Sequence, residues 1–330
     1  MALKILFNGF RHGHIYGLYK KAVLSDEVEI VGCIEQNDAA KEEAIGKLGA
    51  EFSNKSYDAW LASDIDAVAI GGAYGERGAA IIKALKAGKH VIADKPICTS
   101  LDELNEIERL ATEKGLKVAC MLDLRYQSQT IKAVEILKSG VLGDVKNISF
   151  NGQHTMDYGK RPEWYFEEGM HGGTLNDLVI HGVDLVRMLS EKEFEKIDAA
   201  RVWNSYAYKN PDFKDCALFM ARLEGGAGVI ADVSYSAPTQ AFSLPSYWEF
   251  RVWCEKGMLY FNRPNAQVTV YKEGAQEPLQ YTDLPAVPSD YLSDFVKEIQ
   301  SGADDMTANI LASTRIALML QVEADKEYAI

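Results

Sequence analysis

The first 120 residues alternate short β-branched apolar runs with longer amphipathic stretches, each change marked by Gly, Asn or Asp. This rhythm constrains the fold more than any other feature, because strands joined through helical crossovers pair in parallel in one sheet. Strands are expected at Lys4 to Phe7, Glu29 to Ile34, Ala67 to Ile70, His90 to Ala93 and Lys117 to Met121. Helices are expected near His14 to Leu24, Ala39 to Leu48, Glu76 to Ala87 and Leu101 to Lys114.

After Arg125 the rhythm changes. A helix from about Gln127 to Ser139 precedes an extended run, Lys146 to Gln153, and another helix opens near Leu175. Runs rich in Val, Tyr, Phe and Trp follow at Arg201 to Tyr208, Ala217 to Leu223, Gly228 to Ser236, Trp248 to Cys254, Met258 to Phe261 and Gln267 to Tyr271. Without helices between them they predict an antiparallel sheet. Helical stretches at Ser289 to Gln300 and Met306 to Glu323 close the chain. A length of 330 residues exceeds one ordinary core. Two domains are therefore expected, residues 1–122 and 123–330, packed against each other around a cleft because no long linker or repeat intervenes.

Composition narrows the partners. With 35 basic against 48 acidic side chains the formal charge is -13, which repels phosphate backbones and anionic lipid, so neither nucleic acid nor a membrane is an expected partner. No apolar run approaches the roughly 20 residues that span a bilayer, and Met1 to Phe7 is too short for a signal-peptide core. A cytoplasmic protein is the expectation. The five cysteines, Cys33, Cys98, Cys120, Cys216 and Cys254, form no close pairs and are expected to be reduced.

The chemistry-bearing residues lie at element ends. Open parallel sheets bind ligands beyond the carboxyl ends of their strands. There the chain carries Asn8-Gly9-Phe10-Arg11-His12-Gly13-His14, where glycine lets backbone amides approach a pyrophosphate and the next helix offers its positive end. Gly9, Phe10, Arg11 and Gly13, with His14 and Ile15 at the helix start, are candidate dinucleotide contacts, although an ordinary glycine turn would also explain the two glycines. Glu35, about 20 residues on, is placed to accept hydrogen bonds from an adenosine ribose. Gln36 and Asn37 offer no positive charge for a 2′-phosphate, which favours NAD over NADP. Gly71 and Gly72, then Tyr74 and Arg77, supply a second wall, and Asp94 and Lys95 end the fourth strand before Pro96, which keeps Lys95 extended.

Later, Gly172-Gly173 opens a helix carrying Asp177 and His181 four residues apart, on one helix face. A buried histidine beside a carboxylate also serves as a core hydrogen bond or half a metal site. His154 and His171 do not complete a ligand pattern, so no metal is expected. Arg125 and Tyr126, then Tyr158, Arg161, Trp164 and Tyr165, could stack on and hydrogen-bond a polyhydroxylated ring, although such aromatics more often build core.

These residues resemble the Gfo/Idh/MocA family of NAD(P)-dependent oxidoreductases over nearly the whole chain. Ile65 to Ile70 and Ala87 to Pro96 look like the run into the family's Glu-Lys-Pro motif, with Asp94 for Glu; Gly172 to Asp184 looks like its Gly-Gly-x-Leu-x-Asp-x-x-x-His-x-x-Asp signature. Where relatives show Thr-Pro-Asn-x-x-His, this chain has Gly72-Ala73-Tyr74-Gly75-Glu76-Arg77. The resemblance implies an N-terminal doubly wound Rossmann domain and a C-terminal α/β domain whose large, mostly antiparallel sheet joins subunits into a homodimer or homotetramer. It implies that Lys95 binds substrate oxygen and the nicotinamide ribose, that Asp177 holds substrate, that His181 is the general acid/base, and that Gly9, Gly13 and Glu35 hold the adenosine half of the cofactor. The expected activity is NAD-dependent oxidation of a sugar, inositol or related polyol. The alternatives are a glycosidase working through transient oxidation by bound NAD and a non-catalytic dinucleotide-binding regulator.

Overall fold

The computed structural model describes residues 2–238 and 240–326. The opening stretch runs β1 (Leu3–Asn8), α1 (His14–Val23), β2 (Val28–Ile34), α2 (Asp38–Leu48), α3 (Tyr57–Leu61), β3 (Ala67–Ile70), α4 (Tyr74–Lys86), β4 (His90–Ala93), α5 (Leu101–Lys114) and β5 (Val118–Cys120). Next come α6 (Ser128–Lys138), β6 (Val145–Thr155), a π-helical turn at Leu175–Val179 and α7 (Ile180–Ser190). Then follow β7 (Phe194–Trp203), β8 (Cys216–Leu223), β9 (Gly228–Ala237), β10 (Glu249–Cys254), β11 (Gly257–Asn262), β12 (Val268–Lys272), β13 (Leu279–Tyr281), α8 (Tyr291–Ser301) and α9 (Asp305–Ala324).

Two compact units result. One comprises residues 1–121, 162–172 and 289–315; the other comprises 122–161, 173–288 and 316–330. The leading segment of the first unit ends at Met121. The returning segments, however, are not contiguous with the rest of the first unit, and contact rather than sequence order assigns them. Segment 162–172 docks on the first turn of α4, where Gly75 N–H donates to Met170 O at 2.8 Å and a side chain on Gly75 would strike Gly169 O.

The first unit is built on an all-parallel sheet of order β2-β1-β3-β4-β5. An isolated parallel bridge, Cys33 to Phe52, extends it past β2 and gives the doubly wound arrangement, with its switch point between β1 and β3. Ile5, Leu6 and Phe7 and all four residues of β3 are buried, each large side chain contributing roughly 1.5–3 kcal/mol. Helix ends follow local chemistry: Asn37 and Ser100 cap α2 and α5 by accepting from Ala40 N–H and Glu103 N–H, and Gly49 and Gly115 end them in the left-handed region.

The second unit holds an eight-stranded sheet of order β13-β12-β11-β10-β6-β9-β8-β7. It is antiparallel except for β6 and β9, which pair in parallel. Phe150, Phe250 and Phe261 stack across three strands at 5.5 and 5.1 Å. Helix α7 lies on this ladder so closely that a side chain on Gly182 would overlap the Phe150 ring. The strand expected at Arg201 to Tyr208 instead runs from Phe194 to Trp203. Asp215 draws the next residues into a loop by accepting from the N–H groups of Ser205, Tyr206 and Ala207, and Asn204 Nδ2 donates to the carbonyls of Ala207, Asn210 and Phe213. These satisfied backbone groups leave the ladder.

Candidate active site

In the first unit the two glycine loops meet at the switch point. Gly9, at φ +90°, comes so close to the second loop that a Cβ would sit 2.6 Å from Gly72 N, and Arg11 N–H donates to Gly71 O at 2.9 Å. Phe10 and Ile15 are core residues: Phe10 packs on Phe7, Tyr19 and Phe52, and Ile15 lies where a Gly71 side chain would go. Only their backbone can serve a ligand. Glu35 pins the loop, accepting Phe10 N–H at 2.6 Å and Asn37 N–H at 2.7 Å through different oxygens. Gly13, the N-cap of α1, has no side-chain cap, and nothing lies within 4 Å of where its Cβ would be. Open space before helix-end amides that no N-cap side chain covers fits a pyrophosphate.

Around Asp94 polar groups crowd into a buried space. His12 Nδ1 lies 2.5 Å from one carboxylate oxygen and His14 Nδ1 3.1 Å from the other, while Arg77 Nη2 approaches at 3.3 Å. Arg77 is fully buried and also donates to the carbonyls of Gly72, Lys95 and Pro96. Burial opposes ionisation of Asp94, but the neighbouring His12, Arg77 and His14 outweigh it and hold its carboxyl well below the usual range. Burial also pushes the His12 imidazole down to about 4 against the pull of Asp94. Tyr74 OH sits 3.1 Å from His12 Nε2 and 2.7 Å from Tyr165 OH. Lys95, buried beside a cis Lys95–Pro96 bond, holds Nζ 5.9 Å from the centre of the Tyr74 ring.

Gly172 and Gly173, at φ +74° and +95°, lead the chain into the π-helical turn of the second unit, where Gln321 Oε1 accepts Leu175 N–H at 3.0 Å. The helix expected near Leu175 thus opens with a wide π turn, on which Asp177 lies, before α7 carries His181. Asp177 is buried and accepts a short hydrogen bond from the Tyr235 hydroxyl. His181 is 4 % exposed, packs edge-on to Trp248 at 5.3 Å, and places Nδ1 3.9 Å from Asp123 Oδ1. Asp123 is in turn 3.3 Å from Arg263. Trp248 adopts φ +61°, rare for an aromatic residue. Tyr235, Asp123 and Trp248 were missed in the sequence because they come from three separate segments. His12 was passed over, although its His-x-His spacing with His14 was visible.

The substrate candidates divide. Trp164 and Tyr165 belong to the first unit, buried against Tyr74 at 4.8 and 5.5 Å, with Trp164 Nε1 donating to Arg11 O. Arg125, in the second unit, forms a two-pronged pair with Asp184 at 2.9 and 3.0 Å. Arg161 donates to the carbonyls of Thr155 and Met156 and stacks over Tyr235 at 4.8 Å, and Tyr158 packs on Tyr208 at 5.5 Å.

The oxidoreductase family with an NAD-binding Rossmann fold matches residues 9–121, and the GFO/IDH/MocA C-terminal domain matches residues 130–260. The chain belongs to the Gfo/Idh/MocA oxidoreductase family. Among curated members it is similar to levoglucosan dehydrogenase of Pseudarthrobacter phenanthrenivorans, 25% identical over 59% of this chain and 50% of that one. It is also similar to scyllo-inositol 2-dehydrogenase (NAD(+)) of Bacillus subtilis, 27% identical over 60% and 57%. The chain thus spans little more than half the length of these relatives. An NADP(+) form of the inositol enzyme from the same bacterium is 30% identical over 30% of this chain and 28% of its own. Among solved structures, levoglucosan dehydrogenase in complex with NADH superposes with a TM-score of 0.81 at 20% identity, covering 98% of this chain and 97% of that one. Aldose-aldose oxidoreductase from Caulobacter crescentus gives 0.79 at 18%, covering 98% of each. Family membership carries the NAD-binding Rossmann fold, and no helix among the described residues is long and apolar enough to cross a membrane.

Proposed function

We propose that this member of the Gfo/Idh/MocA family is an NAD-dependent dehydrogenase acting on a secondary alcohol of a sugar, inositol or related polyol. The observation that supports it most is the buried pair of Asp177 and His181 on a π-to-α junction, inside a signature the family shares. Uncapped α1 amides, the open space at Gly13 and the loop pinned by Glu35 are the residues that would hold the dinucleotide. Gly71, Gly72 and Tyr74 would supply a second wall, with Asp94 and Arg77 behind. When bound, NAD supplies the hydride acceptor. Gln36 and Asn37 put no cation beside Glu35, which favours NAD over NADP.

His181 would take the hydroxyl proton, imidazole being the side chain whose ordinary titration lies nearest neutrality. Asp177, its rotamer held by Tyr235, would hold a substrate hydroxyl. Lys95 would stabilise the developing alkoxide by charge. Asp123 faces Nδ1 of His181 across 3.9 Å. The outward face of the eight-stranded sheet, with Leu218, Met220, Ile230 and Trp253 exposed, would carry self-association; Ile230→Glu should then reduce the particle size in gel filtration.

The deciding experiment follows NADH absorbance with a panel of sugars, inositols and their keto forms, using the full chain and His181→Ala. Turnover should fall by about 10²–10⁴ in the variant, with NADH binding by fluorescence unchanged. Unchanged turnover in His181→Ala, or loss of NADH binding in that variant, would overturn the assignment.

A further inference from the structure

The first unit also carries a ligand set that hydride transfer does not require. We propose that His12, His14 and Asp94 bind one first-row transition-metal dication, in the class of Zn²⁺ or Co²⁺. The site goes beyond the dehydrogenase reading and stands or falls without it.

The geometry argues for a metal rather than a simple His–Asp pair. A lone pair of that kind needs one imidazole, yet two turn the same ring atom, Nδ1, toward Asp94. His12 reaches one carboxylate oxygen at 2.5 Å and His14 the other at 3.1 Å. Their rings stand at 74° with centroids 4.6 Å apart, so they converge edge-to-face instead of stacking. The three donor atoms all lie within 4.8 Å of one another. Ligand bonds of about 2.1 Å place neighbouring donors roughly 3.0–3.4 Å apart, so shifts below 1 Å would close the set around an ion.

The surroundings match what metal-bound imidazoles use. His12 meets Tyr74 OH at its far nitrogen, Nε2, and Tyr74 OH is backed by Tyr165 OH, which fixes ring orientation. Arg77 shares Asp94 at 3.3 Å and takes part of the carboxylate's charge. That handicap selects against Mg²⁺ and Ca²⁺, which rely on anionic oxygen, and favours a metal with strong affinity for imidazole. Three protein ligands leave coordination positions for water or an anionic oxygen donor. The sequence shows only His-x-His; Asp94 joins it because β1 and β4 end on the same edge of the parallel sheet.

The test uses the full chain, stripped with chelator, without dinucleotide. Titration with Zn²⁺ by calorimetry and with Co²⁺ by visible absorption should show one saturable equivalent per chain. His14→Ala, a change at a side chain 43% exposed, should abolish it, and Tyr74→Phe should weaken it by about tenfold. His154→Ala, in the other unit, should leave it intact. The absence of a saturable phase, a His14→Ala isotherm superimposed on that of the parent chain, or displacement of Co²⁺ by equimolar Mg²⁺ would each overturn the site. Should His12→Ala also be folded by circular dichroism, it must lose the same phase.

Discussion

Asp94 in the first unit and Asp177 in the second are both buried carboxylates, yet they are supported differently. Asp94 lies against His12, His14 and a fully buried Arg77. Asp177 receives the neutral hydroxyl of Tyr235. A guanidinium balances charge and makes a carboxylate part of the frame, whereas a hydroxyl satisfies geometry without cancelling charge. Asp94 thus sits in a cluster that includes a buried cation, while Asp177 accepts a hydrogen bond from a neutral donor.

Disturbing the surroundings of each carboxylate tests this contrast most strongly. Asp94→Ala strands the Arg77 guanidinium and should cost about 3–5 kcal/mol, read as a fall in the denaturant midpoint. Tyr235→Phe, which removes only a hydroxyl from Asp177, should cost about 1–3 kcal/mol. Equal losses would show that the two environments do not differ in the way described.

Two glycines sharpen the same comparison. Gly182→Ala drives a methyl into the Phe150 ring and should destabilise by about 1–3 kcal/mol through overpacking. Gly13→Ala points into open space and should leave stability nearly unchanged while weakening NADH binding, measured by fluorescence titration. A stability loss at Gly13 would return that residue to the frame.

The smallest effect is on pH dependence. Burial, with Lys117 nearby, lowers the pKa of His90, whose Nδ1 accepts Lys117 N–H at 2.9 Å. The unfolded imidazole titrates near 6.5 and binds protons more readily than the folded one, so stability should fall as pH drops below about 6.5, by at most about 1.4 kcal/mol per pH unit. His90→Asn keeps an acceptor but cannot titrate, and should flatten that part of the profile. An unchanged slope would assign the effect to other groups.

Much of the first unit was legible because its parallel strands are short, largely apolar and separated by helices with one buried face. The second unit read less well. Strand β7, Phe-Glu-Lys-Ile-Asp-Ala-Ala-Arg-Val-Trp, has no clean alternation, and the aromatics beyond it belong to a loop held by Asn204 and Asp215. Short β13 carried too little pattern to be seen. The motif residues Lys95, Asp177 and His181 stood out by spacing and context. Their supports did not, since Tyr235 follows Asp177 by 58 positions and Asp94 follows His12 by 82.

By itself the sequence determined the doubly wound sheet, the glycine loops at strand ends and the family, because periodicity and short motifs are local properties. Tertiary structure alone decided that Glu35 pins the first loop, that Arg77 is an internal counterion, and that two histidines share one aspartate. It also decided that Asp177 leans on a tyrosine from β9. The physical reason is that hydrogen bonding, burial and charge balance depend on distance through space, and the residues that meet here are tens of positions apart along the chain.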